Sequence, residues 1–521
     1  MPMSPAVLRR LGALLAALGL IGSIGVSSAL AASIAVNSLA DVAANDGACT
    51  LREAITAANT DTASGAAAGE CAAGSGADTI TFSVAGTVTL SSALPDISTD
   101  LTVAGAGAVT VSGASSFRVF NVTAGTVTLS GLTISNGTAV QGGGIQTTGS
   151  ASLTVTNSIF TGNTATTSLA GGAIVNTGPL TVTNSTFSGN TAPNGAAIYS
   201  SGAGVLTVTN STFSGNAANG GGGAIVNSGT ATVTNSTFSG NTAAQGGGAI
   251  LDFAGPTGSL TVTNSTISGN TGLVGGGINA SANETLVSTI VAGNSAPTGP
   301  DVAGTVETTT TSIIGVPGGK TLADILVPAG LADNGGPTQT IALALVAGNP
   351  AIDAGTSSVC AASPVSGVDQ RGMPRPAACD IGAYEAQPPT IAAHANVSVA
   401  VSPPAPTVVT YTPPTGTDEQ GGVAGVACLP ASGSTFAVGT TTVTCTATDA
   451  VGHTASGSFA VIVSAIAAPS PPAPSLPNSA VSAPASPSRG TLPAGTFLAG
   501  MLVLISLFTL GAINLRTARR P

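Results

Sequence analysis

Few residues in this chain are able to do chemistry, and their spacing limits what that chemistry is. Between Val119 and Gly319 there is no Lys, Arg or His, and the acids are Asp252, Glu284, Asp301 and Glu307. Glycoside hydrolysis would need two carboxyl groups about 5–10 Å apart. Elimination from a uronate would need cations to neutralise the sugar acid, a base and usually calcium ligands. The span offers no cation. Asp252 directly follows the phrase GGAI at 247–250, whereas Glu284 lies further past GGGI at 275–278. The two are therefore expected out of register, and no catalytic pair is expected. Runs such as Gly220–Gly223 precede neither a helix nor a lysine, so they read as corners and not as phosphate loops. The reading is of a protein that is not an enzyme and has no cofactor and no metal. The alternative is a polysaccharide-binding or polysaccharide-degrading (lyase or hydrolase) protein.

The element that must position these residues is a repeat. The phrase LTVTNSIFTGN at 153–163 returns at 180–190, 206–216, 231–241 and 260–270, with a decayed copy at 286–294. Copies begin 27, 26, 25, 29 and 26 residues apart, a period that announces a solenoid of stacked units. In Leu180-Thr181-Val182-Thr183 apolar and hydroxyl side chains alternate, the two-residue period of a strand with one buried face. Gly and Asn between the phrases suit corners because they tolerate positive φ. The pattern predicts an all-β chain built on a right-handed parallel β-helix, with about three short strands per coil. Val155, Val182, Val208, Val233 and Val262 should form one inward column, and Phe160, Phe187, Phe213 and Phe238, continued by Ile267, another. Asn157, Asn184, Asn210, Asn235 and Asn264 fall at a corner, where a structural ladder of amides is expected. Asn163, Asn190, Asn216, Asn241, Asn270 and Asn294 make a second such column, where a ladder is likewise expected. The Asn-Ser-Thr triplets repeat because the corner repeats, and are not read as glycosylation sites.

Composition fits an exported chain. Of 521 residues 6% are charged and 43% hydrophobic, and the formal net charge is −10. Residues 1–31 read as a signal peptide: Arg9-Arg10, an apolar stretch from Leu11 to Val26, and Ala29-Leu30-Ala31 at the cleavage site. Residues 466–493 are rich in Pro, Ser and Ala and read as a semi-rigid linker. Thr496–Leu515 carries no charge and is followed by Arg516, Arg519 and Arg520, as expected for a transmembrane helix with a cytoplasmic tail at 516–521. Without leader and tail the body keeps 6 basic against 21 acidic residues, about −15, which argues against nucleic acid as a partner. The expected partners are the membrane, through the C-terminal helix, and a cell-surface or extracellular ligand, polysaccharide or protein. The sequence places the body on the cell surface in type I orientation.

Several stretches resemble known families. Cys49-Thr50-Leu51-Arg52-Glu53-Ala54-Ile55 resembles the CSLREA-type segment at the front of exported bacterial β-helix proteins. Its role would be an N-terminal cap at 41–79, with a short helix over 51–59 begun by the T-x-x-E capping box of Thr50 and Glu53; Arg52 and Glu53 read as a solvated pair. The pairing of GGAI with F-x-x-N is similar to the repeats of the polymorphic outer-membrane proteins, which are surface adhesins. Gly335-Gly336-Pro337, Asn349-Pro350-Ala351-Ile352-Asp353 and Asp369-Gln370-Arg371-Gly372 resemble the choice-of-anchor Q module that closes many such proteins, here a C-terminal module at 331–385 of a β-helix spanning 32–385. Asp353, Asp369 and Asp380 in it read as turn formers, with ion pairing to Arg371. Residues 388–465 resemble the HYR (hyalin repeat) domain, which implies a small immunoglobulin-like β-sandwich associated with adhesion. Gly439-Thr440 is expected at its hairpin turn, and His453 is expected exposed. The six cysteines, Cys49 and Cys71, Cys360 and Cys379, Cys428 and Cys445, fall into three local pairs and read as disulfides of an exported chain. The whole reads as a surface adhesin or envelope-structural protein.

Overall fold

The computed structural model describes residues 31–467, apart from 168, 169, 203, 256, 257, 282, 421 and 422. The expected signal peptide, most of the linker and the expected membrane helix at 496–515 lie outside the described residues. Among the described residues no helix is long and apolar enough to cross a membrane.

The repeat folds as a parallel solenoid. In one coil the chain runs through Pro179–Thr183, Thr186–Ser188, Thr191–Ala192 and Ile198–Ser200, so a coil carries four strand pieces where three were expected. They nonetheless form three sheets, because the first two pieces belong to one continuous 19-stranded sheet; the others form sheets of five and eight strands. The reason is the asparagine between the first two pieces. Asn157, Asn184, Asn210, Asn235 and Asn264 have φ of 49, 50, 51, 46 and 43°, a left-handed corner that bends the strand without ending its sheet.

Register repeats by whole phrases. Leu180 pairs with Leu153 and Leu206, Val182 with Val155 and Val208, and Phe187 with Phe160 and Phe213. The valine and phenylalanine columns are fully buried. Neighbouring Phe rings stack nearly parallel at 4.5, 4.8 and 4.6 Å, the separation that parallel strand pairing dictates. One apolar core runs unbroken from Ile34 to Val291.

Of the two expected asparagine ladders, only the one through Asn163 to Asn294 forms. Asn163 Nδ2 donates to Asn190 Oδ1 at 3.0 Å, and the same bond recurs to Asn216, Asn241, Asn270 and Asn294 at 2.8–2.9 Å. Each of these amides also donates to a backbone carbonyl of the preceding coil and accepts a backbone N–H, so from Asn190 onward two donors and two acceptor sites are all used. Asp301 Oδ1 ends the ladder by accepting from the side chain and backbone of Asn294, both at 2.9 Å. The expected ladder through Asn157, Asn184, Asn210, Asn235 and Asn264 is thus corrected. Those residues supply the left-handed turn, and the bonds stacked at that corner belong to the next residue. Ser158, Ser185, Ser211 and Ser236 each accept the backbone N–H of their counterpart one coil earlier, or give their hydroxyl to a carbonyl two residues back.

A ten-residue helix, Leu51–Thr60, covers the first coils, with the Thr50–Glu53 capping box formed in both directions. Arg52 and Glu53 are not a solvated pair. Arg52 binds Asp41 at 2.8 Å and the carbonyls of Ser92 and Ala93, while buried Glu53 accepts from Ala44 N. The disulfide Cys49–Cys71 closes the segment.

Residues 331–385 do not extend the stack; they fold back along its flank. Gln370 reaches Thr212 and Thr237, Val368 O accepts from Asn235 Nδ2, and Thr266 and Ser288 accept the backbone N–H groups of Ala383 and Thr356. Gly382, at φ 104°, lies so close that a Cβ there would stand 2.9 Å from Ile290 and Thr266. This strap is tied by Cys360–Cys379 and a buried charge network. Arg371 pairs with Asp369 at 2.8 Å and lies 3.6 Å above the Tyr384 ring; Arg375 pairs with Glu385 at 2.7 Å.

Beyond it, a six-stranded sheet and a two-stranded ribbon enclose Phe436, Val443, Phe459 and Val461, with Cys428–Cys445 bonded between adjacent strands. Gly439 opens the long strand Gly439–Thr448; the hairpin turn is at Asp449–His453, where Asp449 Oδ1 accepts three successive backbone N–H groups. His453 is not exposed as expected: its side chain is 15% accessible and stands between Asp449 and Asp353, at 3.2 and 3.6 Å.

Candidate functional site

The eight-stranded sheet positions the site. Its three-residue strands stack Ile225 on Ile250, Val226 on Leu251 and Asn227 on Asp252. The first residue of each strand points inward, the second outward, and the third turns in at the corner. Thr147, Asn176, Ser200, Asn227 and Asp252 therefore make a polar corner column. Glu284 begins the next strand of the 19-stranded sheet, stacked on Leu260 and wholly buried.

These placements bring together the two acids that the sequence separates. Asp252 and Glu284 do stand in different columns, as their offsets from GGAI and GGGI imply, but the columns converge at the corner. Asn227 Nδ2 donates to Asp252 Oδ1 at 2.6 Å and Ser281 Oγ to Oδ2 at 3.1 Å. Ser281 N donates to Glu284 Oε1 at 2.5 Å, and among the described residues Glu284 Oε2 has no hydrogen-bond partner. Burial, then the bond to Glu284, pushes Asp252 up to about 7 against the pull of Asn227 and Ser281. A proton held on Asp252 is thus shared with the Glu284 carboxyl. The sequence signal for this pair is a charge at inward register positions, Asp where Asn176 and Asn227 stand and Glu where Leu260 stands. Asp301, by contrast, closes the asparagine ladder. Asp353, Asp369 and Asp380 lie in the strap, where Asp380 accepts the backbone N–H groups of Asp353 and Ala386.

Above Asp252 opens a groove of about 590 Å³. Glycine turns carve it: a Cβ on Gly221 would lie 2.4 Å from Leu251, and one on Gly246 2.6 Å from the Asn279 amide. Phe253 and Leu273 flank it, 72% and 51% exposed. Both belong to the surroundings of the loop Leu251–Ser259, the longest insertion between phrases, of which 256 and 257 lie outside the described residues.

A protonated carboxyl in the folded state sets a pH dependence. The Asp252 value lies above the ordinary 3.8, so the native state holds its proton more tightly than the unfolded chain does. Stability should fall as pH rises from about 4 through about 7 and level off above. In Asp252→Asn the amide donates to Glu284 at every pH. Thermal melts between pH 5 and 9 should show the variant gaining on the parent as pH rises; a constant difference would remove the shared proton.

The fold and site define a parallel β-solenoid carrying a lateral groove and followed by a β-sheet domain. Residues 99–251 and 171–304 match the family model described as a right handed beta helix region, and residues 384–463 match the HYR domain model. No curated protein and no solved structure matches the chain. The two family matches are compatible with a cell-surface or adhesion-type protein, and the three disulfides accord with an oxidising compartment.

Proposed function

We propose that this chain is an exported adhesion-type binding protein, held at the cell surface by the segment 496–515, that grips an extracellular ligand without transforming it. The observation that carries this reading is an HYR domain set beside a solenoid whose flank holds a glycine-carved groove. The likenesses to the CSLREA-type segment, the polymorphic outer-membrane protein repeats and the choice-of-anchor Q module support surface display. The acidic body disfavours nucleic acid as the ligand.

Cells that display the full chain should attach to a target surface more strongly than a deletion strain. Equal attachment would leave the protein a passive spacer. The acid pair at the groove favours a second reading, polysaccharide cleavage. Its two carboxyls touch each other, however, instead of flanking a sugar bond across about 5–10 Å, and Glu284 is fully buried. Incubation with polysaccharides should release no reducing ends. Release that disappears in Asp252→Asn would establish the enzyme.

A further inference from the structure

We propose that the groove over Asp252 is a binding site for a neutral glycan chain, with Phe253 as its stacking platform. This ligand class presupposes the binding role proposed above. Three features of the groove lead to it. First, Phe253 holds its ring in solvent at 72% exposure beside Leu273 at 51%, an unusual cost for a surface nearly free of aromatic residues: the chain has 12 Phe, 3 Tyr and no Trp. An exposed ring over a polar floor suits a ligand with one apolar and one hydroxylated aspect, as a sugar ring has.

Second, the polar groups are of the kind that read hydroxyls. The exposed Gln245 holds the wall through its backbone carbonyl, which accepts from Leu273 N and Val274 N at 3.0 Å; among the described residues its side-chain amide has no hydrogen-bond partner. The half-buried Asn279 lies across the groove, its amide lodged where the absent Cβ of Gly246 leaves space. Both amides donate and accept, as Ser281 Oγ does. Third, the site is charge-selective. No Lys, Arg or His occurs from Val119 to Gly319, so an acidic sugar finds no counter-charge. Asp252 at the floor, backed by Glu284, repels an anion and most strongly once ionised. An acidic peptide would meet the same repulsion.

The test is calorimetric titration of the full-length protein, in detergent, with neutral oligosaccharides and with a uronate oligosaccharide of equal length. Neutral chains should bind. Phe253→Ala should weaken binding at least about tenfold, and Gln245→Ala and Asn279→Ala several-fold each. All three residues lie outside the core, so thermal melts and circular dichroism should match the parent. Gly246→Ala, which drives a methyl against Asn279, gives an independent route to the same loss. Binding that none of the four variants changes, or an absence of neutral-chain binding, overturns the site. Equal or tighter binding of the uronate chain overturns the ligand class. If neutral chains fail while displaying cells still attach, this inference falls and the adhesion reading stands; if attachment also fails, both fall.

Discussion

Phe213→Ala should destabilise the protein by about 3–5 kcal/mol, read as a lowered urea midpoint. The ring is fully buried and stacked on two neighbours, Phe187 at 4.8 Å and Phe238 at 4.6 Å. Removing it opens a cavity that neither neighbouring coil can fill, because backbone pairing on both sides fixes their separation. In a solenoid each unit owes its stability to the units above and below, so one truncation in the middle weakens two interfaces. Phe160→Ala should cost less, since Phe160 stacks on Phe187 on one side and pairs with Ile134 on the other. A loss under about 1 kcal/mol for Phe213→Ala, or equal losses for both variants, would contradict the stacked column as the source of cohesion.

Arg375→Ala should cost a further range of about 3–5 kcal/mol, because it strands buried carboxylates. The guanidinium is inaccessible, pairs with Glu385 at 2.7 Å and donates to the carbonyls of Val368, Asp380 and Gly382. Burial already pushes Glu385 up to about 8 and Asp380 to about 6, with Arg375 pulling both down. Without Arg375 both carboxyls take up protons more readily. The raised values make the native state lose stability as pH rises from about 4 through about 8, so the defect should be larger at pH 8 than at pH 5. Its site is the strap: hydrogen exchange should quicken over 331–385 while the coils before 206 remain protected. Uniform loss across the solenoid would show that the strap and coils unfold as one unit.

The sequence made some of this legible and hid the rest for physical reasons. Register was readable because inward residues repeat by type, so Val155 and Phe160 announce their whole columns. The two asparagine columns have the same spacing, and period alone does not say which amide turns inward. Asn163 is buried and laddered; Asn157 spends its side chain at an exposed corner while its backbone adopts positive φ. Asp252 and Glu284 escaped because stacking arguments compare positions along a column, and their contact crosses from one column to another. The strap escaped for a related cause. Its turn residues and charges were visible, but nothing local says that Gln370 will lie against Thr212 and Thr237, more than a hundred residues earlier.

That back-folded strap decides how the molecule takes mechanical load. Tension on the chain beyond Ala465 enters through the last domain, which is joined to the strap by Arg371–Glu419 at 3.1 Å and by Gln420 to Leu343 O at 2.7 Å. From there it spreads through bonds to Asn210, Asn235, Thr266 and Ser288, which belong to successive coils and must yield together in shear. A pull delivered to the terminal coil alone would instead unzip the rungs singly. Force spectroscopy should accordingly record one high rupture for the parent and a train of small steps once the strap is cut.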